Sequence, residues 1–200
     1  MSKIFIDCGT HLFQGFEQFA QMFKIDKDWN CFCFEPNPYT YEKARTKYND
    51  LSKNFQITFY PIAVSNYTGY TEINCAKEFG VEEYVNQGSN ILSNPPSCDK
   101  VYGGVFDYTK VPVKSIRLVD FIKDLSGGKK FGELVVKLDI EGSEFDVIED
   151  LIQTETYKYI NHLYVEFHER FFDDVEYKTY QKQEWIKFFE NTDTKLVEWH

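Results

Sequence analysis

The stretch KLDIEGSEFDVI, residues 137–148, joins the end of an apolar run to the start of a segment with helical spacing. The run LVVKL (134–138) predicts a buried strand, and SEFDVIEDLI (143–152) predicts a helix. Carboxylates crowd around a single glycine between them: those of Asp139, Glu141 and Glu144. Clustered carboxylates lose solvation and repel one another. The stretch therefore predicts a strand-to-helix turn and a site that uses these acids.

Strands and helices alternate along the rest of the chain. The predicted strands are KIFID (3–7), CFCFE (31–35), QITFYPIAV (56–64), LVVKL (134–138), HLYVEF (162–167) and TKLVEW (194–199). The predicted helices are 13–23, 38–51 with Asn37 as its cap, 143–152 and 180–190. This alternation predicts right-handed βαβ crossovers, and so an α/β fold with a mostly parallel central sheet and helices on both faces.

One interval breaks the alternation. Residues 66–130 contain clusters of Gly, Asn and Pro, with one short strand and helix predicted in VKSIRLVDFIKDL (113–125). A chain of 200 residues fits one domain. We therefore predict a single domain over residues 1–200, in which residues 66–130 form an insertion or substrate lid between the third and fourth core strands.

Composition limits the partners and the compartment. The net charge of −10 argues against nucleic acid, whose binding depends on Lys and Arg. The sequence has no basic amphipathic helix and no apolar run of about 20 residues, which argues against a membrane. Five cysteines without a CxxC pair favour a reducing compartment, and strand-like residues from Lys3 leave no room for a signal peptide. We expect a monomer or a homodimer. We expect it in the cytoplasm, which would be the cytoplasm of a host cell if a virus encodes the protein.

Polar residues follow the predicted strands. In open α/β sheets, ligands lie beyond the carboxyl ends of the strands, so these positions are candidate site residues. They are Asp7 and Gly9, Glu35, Ser65 and Asn66, Asp139 and Glu141, and Glu166 with His168. Most of them are acidic, which predicts a site suited to hydroxyl groups or cations.

The first two strand ends suggest a nucleoside cofactor. Gly9 lies where the chain turns from strand to helix, and Glu35 lies where such folds place a carboxylate on ribose hydroxyls. This pattern serves nicotinamide, flavin and S-adenosylmethionine alike. The stretch DCGTHLFQG (7–15) lacks the G-x-G-x-x-G of dinucleotide sites, and the chain has no G-x-x-x-x-G-K-[ST] phosphate loop. A cofactor without phosphate fits better.

Five motifs together resemble a known family. They are IFIDCGTHLFQGFEQF, CFCFEPNP, AVSNYTG, KLDIEGSEFDVI and LYVEFHE, in that order, over roughly residues 4–169. They resemble the FkbM family of S-adenosylmethionine-dependent O-methyltransferases, and K-[LI]-D-[IV]-E-G-x-E is the most specific motif. The chain departs from the family at Phe13, where glycine is usual.

The resemblance implies a Rossmann-like class I methyltransferase fold and a set of binding residues. Asp7, Gly9 and Thr10 would hold the methionine end of S-adenosylmethionine, with Asp139 nearby, and Glu35 would hold the ribose. The adenine would lie against Asn37 and the turn of Ala63, Val64 and Ser65. The segment GSNIL (88–92) resembles one that approaches the active site, so Ser89 and Asn90, with Glu166 and His168, are predicted to bind substrate.

The catalytic residues are predicted to be Asp139, Glu141 and His168. Asp139 would face the cofactor's methyl group, and crowding with Glu141 should raise the pKa of one carboxylate and make it a better base. Glu144 needs only the helix dipole to explain it. Glu166 and His168 lie two apart on a predicted strand and so on one face.

Two readings of His168 stay open. It can act as the base, or it can form an oxygen-rich Mg²⁺ site with Asp139 and Glu141. The alternatives are a structural hydrogen bond for His168 and a helix cap for the two acids.

The function predicted on these grounds is methyl transfer to a hydroxyl of a sugar or glycoconjugate. The carbohydrate rests on the family resemblance and on an acidic site suited to polyols. The alternatives are O-methylation of a small natural product, and a non-catalytic Rossmann-type domain that binds a nucleoside or a partner.

Overall fold

The computed structural model describes residues 2–77, 87–93 and 107–199. Its main sheet has six parallel strands in the order β3-β2-β1-β7-β8-β9. These strands are β1 (Lys3–Cys8), β2 (Trp29–Phe34), β3 (Gln56–Tyr60), β7 (Glu133–Leu138), β8 (His162–Val165) and β9 (Lys195–Glu198). The predicted α/β, Rossmann-like fold is confirmed.

Helices flank this sheet. They are α1 (Gln14–Met22), α2 (Pro38–Leu51), α3 (Leu118–Ser126), α4 (Glu144–Gln153) and α5 (Val175–Phe189), with 3₁₀ turns at Thr156–Tyr159 and Glu169–Phe171. The prediction for α2 is confirmed, and the Asn37 side chain caps it by accepting from the N–H groups of Tyr39 and Thr40. Among the described residues, none of the helices is long and apolar enough to cross a membrane.

The third predicted strand, 56–64, is wrong at Pro61. The chain breaks there into β3 and β4 (Ile62–Ser65), which belong to different sheets. Proline has no N–H to donate and a fixed φ, so a continuous strand is unfavourable at this position. A second sheet, in the order β4-β6-β5, combines β4 with β5 (Gly69–Lys77) and β6 (Asp107–Arg117).

This small sheet accounts for much of the predicted insertion 66–130. Residues 87–93 join it through a bridge between Asn90 and Asn74, whose backbone groups hydrogen-bond at 2.7 and 3.2 Å. The rest of the interval, 78–86 and 94–106, lies outside the described residues. The lid role of the insertion stays a prediction.

Two apolar clusters cover the two faces of the main sheet. The face under α3, α4 and α5 holds alternate strand residues such as Ile6 and Val136. The face under α1 and α2 is strongly aromatic and holds Phe5 and Val135. Because side chains alternate along a strand, Asp7 and Lys137 point to this aromatic face. Both are nevertheless fully buried charged residues, and they therefore need partners there.

Candidate active site

A cleft opens at the carboxyl ends of the strands. Its lining comes from the turns after β1, β2 and β7, from β4 and β5, and from residues 87–91. Its polar wall includes Glu35, Thr40, Asp139, Glu141 and Glu166. Ligands of open α/β sheets bind outside the carboxyl ends of the strands, so this cleft is the candidate active site.

The turn after β1 lies directly against the end of β7. Gly9 has a φ of +82°, and a Cβ atom built on it would lie 1.7 Å from the Asp139 carbonyl oxygen. The N–H groups of Gly9 and Thr10 both donate to the Phe34 carbonyl, at 3.0 and 2.9 Å. Only glycine allows this approach with a positive φ. The ends of β1, β2 and β7 therefore meet at the cleft.

Glu35 is buried in the cleft wall directly after β2. Its Oε2 accepts from the His11 N–H, and its Oε1 accepts from the Asn37 N–H, each at 2.9 Å. Burial raises the pKa of Glu35 to about 7, although these two N–H groups favour the charged form. Each carboxylate oxygen can accept a second hydrogen bond. Glu35 is thus held in place and can still bind a ligand.

Thr40 adds a hydroxyl to the same part of the wall. The residue is 1% exposed, and within the described part of the chain its Oγ1 has no hydrogen-bond partner. Buried polar groups are rarely left in this state, because an unmade hydrogen bond is costly. Thr40 is therefore a candidate for contact with a ligand in the cleft.

Buried amides hold residues 87–91 in the wall. Asn74 Nδ2 donates to Asn90 Oδ1 at 3.1 Å. Asn37 Nδ2 donates to Ser89 Oγ at 3.0 Å. These contacts tie a segment of the insertion to β5 and to the start of α2. The segment therefore has a defined position beside the cleft.

Lys137 joins two of the acids. Its Nζ lies 3.1 Å from Asp7 Oδ1 and 3.2 Å from Asp139 Oδ2, and it donates to the Gly9 carbonyl at 3.0 Å. Burial alone would lower the pKa of Lys137, but Asp139 and Asp7 outweigh it and hold that pKa above its usual value. The ammonium is therefore charged and pairs with both acids, although burial still raises the pKa of Asp7.

His168 lies between carboxylates behind the wall. Its Nδ1 is 3.0 Å from Glu144 Oε1, and its Nε2 is 3.2 Å from Glu141 Oε2 and 3.7 Å from Glu166 Oε1. Burial lowers the pKa of His168, but Glu144 and Glu141 outweigh this effect and raise it to about 10. Because both ring nitrogens face carboxylates, the protonated ring is favoured, and this setting supports a positioning role rather than that of a free base.

Glu141 faces the cleft from an unusual backbone conformation. Its φ is +55°, which is strained for a residue other than glycine. The N–H groups on either side, of Ile140 and Gly142, donate to the two oxygens of Glu144 at 2.7 and 2.8 Å. Burial raises the pKa of Glu141 to about 8, although His168 acts in the opposite direction. The turn thus holds a carboxylate with a high proton affinity in the cleft wall.

Comparison with known protein families shows which family the chain belongs to. The model of the methyltransferase FkbM domain matches residues 7–196 of the chain. The chain belongs to the FkbM methyltransferase family. Searches of curated proteins and of solved structures gave no match. Membership confirms the resemblance seen in the motifs, supports methyl transfer as the general activity, and suggests S-adenosylmethionine as the cofactor in general terms.

The FkbM-family cleft gathers most of the predicted site residues, and others lie behind it. On the wall are Gly9, Glu35, Ala63, Val64, Ser89, Asn90, Asp139, Glu141 and Glu166. Buried behind the wall are Asp7, Thr10, Asn37, Ser65 and His168. The ligand contacts of both groups stay predictions.

Three placements differ from the sequence analysis. Asp7 lies inside β1 rather than after it, because the strand continues to Cys8 and alternation turns Asp7 inward. Ser65 directs its hydroxyl to Ser115 Oγ, at 2.6 Å. β8 ends at Val165, so Glu166 and His168 lie in the segment after the strand, although they still approach each other.

The predicted metal ligands of this FkbM-family chain do lie together. Atoms of Asp139, Glu141 and His168 come within 4.8 Å of one another. However, Mg²⁺ prefers oxygen ligands, and the two His168 nitrogens already lie 3.0 Å from Glu144 Oε1 and 3.2 Å from Glu141 Oε2. The donor set therefore fits Mg²⁺ poorly.

Two functional candidates escaped the sequence analysis. Lys137 was read only as part of a motif, although a lysine within the apolar run LVVKL was a signal that it needs buried partners. Thr40 left no signal, because its importance comes from an unmade hydrogen bond that only the folded cleft reveals.

Proposed function

We propose that this chain is an S-adenosylmethionine-dependent O-methyltransferase that acts on a hydroxyl of a sugar or glycoconjugate. The observation that carries the proposal is one cleft with a rigid buried carboxylate, Glu35, after β2 and the acids Asp139, Glu141 and Glu166 after β7 and β8. Family membership supports the methyl transfer. The choice of oxygen and of a carbohydrate is our inference from the acids.

The wall near Glu35 suits the nucleoside of the cofactor. Glu35 would accept hydrogen bonds from the ribose hydroxyls, and Thr40 would make a further one. Ala63, Val64 and Ile73 give an apolar wall for the adenine ring. The cofactor would supply a methyl group on a sulfonium sulfur, and the neutral thioether S-adenosylhomocysteine would be the leaving group. Gly9 lets the backbone after β1 approach this ligand closely.

The acids after β7 and β8 suit a polyol. A carboxylate accepts hydrogen bonds from hydroxyl groups, and the concentration of negative charge disfavours anionic acceptors. Glu141 is the residue we assign as general base: it would take the proton of the acceptor hydroxyl on a carboxylate oxygen. Asp139 would orient that hydroxyl. Lys137 lies 3.2 Å from Asp139 Oδ2, so one oxygen of Asp139 is already engaged in an ion pair.

The cofactor prediction is tested by calorimetric titration with S-adenosylmethionine, S-adenosylhomocysteine and NAD, each with and without Mg²⁺. We expect micromolar binding of the first two, independent of Mg²⁺, and no binding of NAD. In Glu35→Gln, the affinity should fall on the order of 10²-fold, because hydrogen bonds to a charged group are lost. A folded sample that binds none of them would support the partner-binding alternative.

Glu35 also predicts a pH dependence. Its pKa in the free protein is about 7, and ribose hydroxyls bind best to the ionised form. Affinity for S-adenosylhomocysteine should therefore rise from pH 6 to pH 8 and then level off. Glu35→Gln should show no such rise. An equal rise in wild type and variant would assign the effect to another group.

A further prediction concerns Thr40. Thr40→Val keeps the shape of the side chain and removes the hydroxyl, so affinity for S-adenosylhomocysteine should fall about 10-fold, the value of one hydrogen bond. Thr58→Val, at an exposed position on β3, is the matched control and should bind like wild type. Equal affinities for the two variants would remove Thr40 from the binding site.

The acceptor is tested by transfer of labelled methyl from S-adenosylmethionine to three panels: neutral sugars and oligosaccharides, uronic acids and sugar phosphates, and phenolic small molecules. We expect transfer to the neutral sugars alone. Transfer only to phenols would establish the natural-product alternative.

A further inference from the structure

We propose that Lys137 is a positioning residue that holds the Asp139 carboxylate at the reacting end of the cleft. The inference rests on the proposed methyl transfer. Nothing in the family match or in the motifs assigns this role.

The ammonium of Lys137 makes one hydrogen bond and two ion-pair contacts. Its Nζ donates to the Gly9 carbonyl at 3.0 Å and lies 3.1 Å from Asp7 Oδ1 and 3.2 Å from Asp139 Oδ2. These groups belong to the turn after β1, to β1 itself and to the end of β7. An ammonium held by three groups on two strands has little freedom to move. Lys137 therefore fixes the position of Asp139 relative to the glycine turn.

Neighbouring residues enclose the Lys137 side chain. A Cβ atom on Gly15 would lie 3.0 Å from Lys137 Cε, so the first turn of α1 packs directly against the lysine stem. On another side, Nζ lies 4.9 Å from the centre of the Trp199 ring, a cation–π distance. The lysine is thus enclosed by protein and 1% exposed. Water does not compete for its hydrogen bonds.

Stability is a weak reason for such a cluster. Replacing a buried ion pair by apolar residues of similar size is often neutral or stabilising, because the desolvation penalty disappears. Asp7 is fully buried, whereas the Asp139 side chain is 22% exposed and lines the cleft. The cluster therefore connects a buried anchor to a group at the cleft. Orientation of the Asp139 carboxylate therefore explains the cluster better than stability of the fold does.

This role has a measurable consequence. Misplacing a group at the reacting centre by about 1 Å can reduce the rate on the order of 10²-fold. Without Lys137, the Asp139 carboxylate loses the contact that fixes Oδ2 and becomes free to rotate. We expect a loss in kcat with little change in the KM of the acceptor, because the acceptor is bound by several other groups.

The test separates positioning from folding. Lys137→Met alone leaves Asp7 buried without a partner and is expected to unfold more easily. The double variant Asp7→Asn/Lys137→Met removes that problem, since no uncompensated charge stays in the core. The informative comparison is between Asp7→Asn and the double variant. The measurements are Tm, the Kd of S-adenosylhomocysteine by calorimetry, and kcat and KM with the neutral sugar found in the acceptor panel.

Positioning predicts that the double variant regains stability relative to Lys137→Met, binds S-adenosylhomocysteine within about 10-fold of Asp7→Asn, and has a kcat reduced about 10²-fold. The single variant Lys137→Arg should also have a kcat below that of wild type, because the planar fork of arginine does not fit the position of the compact ammonium. If the double variant turns over at the rate of Asp7→Asn, Lys137 is structural and the inference is wrong. Wild type that binds no S-adenosylhomocysteine would instead refute the proposed function.

Discussion

Glu141→Gln should reduce kcat by about 10²–10⁴-fold, the range given for a positioned general base. Glutamine keeps the size of the side chain but cannot take the proton of the acceptor hydroxyl. The reason to choose Glu141 is its setting: it lines the cleft, it is buried, and a strained φ of +55° directs it there. Strained residues persist where the surroundings hold them, and they concentrate at functional sites.

The measurement pairs this variant with Asp139→Asn. Both are isosteric changes of a cleft acid, so they differ only in which carboxylate is removed. If Glu141 is the base, its variant should lose more kcat than Asp139→Asn, and S-adenosylhomocysteine should bind both within about 10-fold of wild type. A larger loss in Asp139→Asn, with Glu141→Gln still active, would make Asp139 the base. Loss of cofactor binding in Glu141→Gln would instead place this residue in the cofactor site.

Local sequence signals were enough to predict the layers of the fold and the edge that carries the site. Asn37 before Pro38 marked the start of α2, because both residue types act through neighbouring backbone groups. Glu35, Asp139 and Glu141 followed apolar runs, and parallel strands bring such ends together. The break between β3 and β4 at Pro61 is equally local, because proline lacks an N–H to donate and has a fixed φ.

The remaining features depend on tertiary contacts. Lys137 meets Asp7 only because β7 lies beside β1, and no spacing in the sequence encodes this adjacency. His168 contacts Glu144, which is 24 residues away in the sequence, through Nδ1, and it contacts Glu141 through Nε2. These two contacts favour a positioning role for His168 over the predicted role as a base. Glu144 was assigned only to the helix dipole, yet it organises the whole turn. These roles arise from burial and from competing partners, which periodicity does not report.

Glu144→Gln should produce the largest loss of stability among single conservative changes in this turn. Glu144 is fully buried, and its oxygens accept from the Ile140 and Gly142 N–H groups and from His168 Nδ1. Glutamine has one acceptor oxygen instead of two, so at least one buried donor faces an NH₂ group, and His168 loses its closest negative partner. We expect the free energy of unfolding to fall by about 3–5 kcal/mol, as when one partner of a buried ion pair is removed.

Urea denaturation measures this change. The control is Glu149→Gln, at an exposed position on the same helix, which should stay within about 0.5 kcal/mol of wild type. Equal stability of the two variants would mean that the Glu144 contacts do not hold Glu141 in its strained conformation, and the assignment of Glu141 as base would lose its structural support.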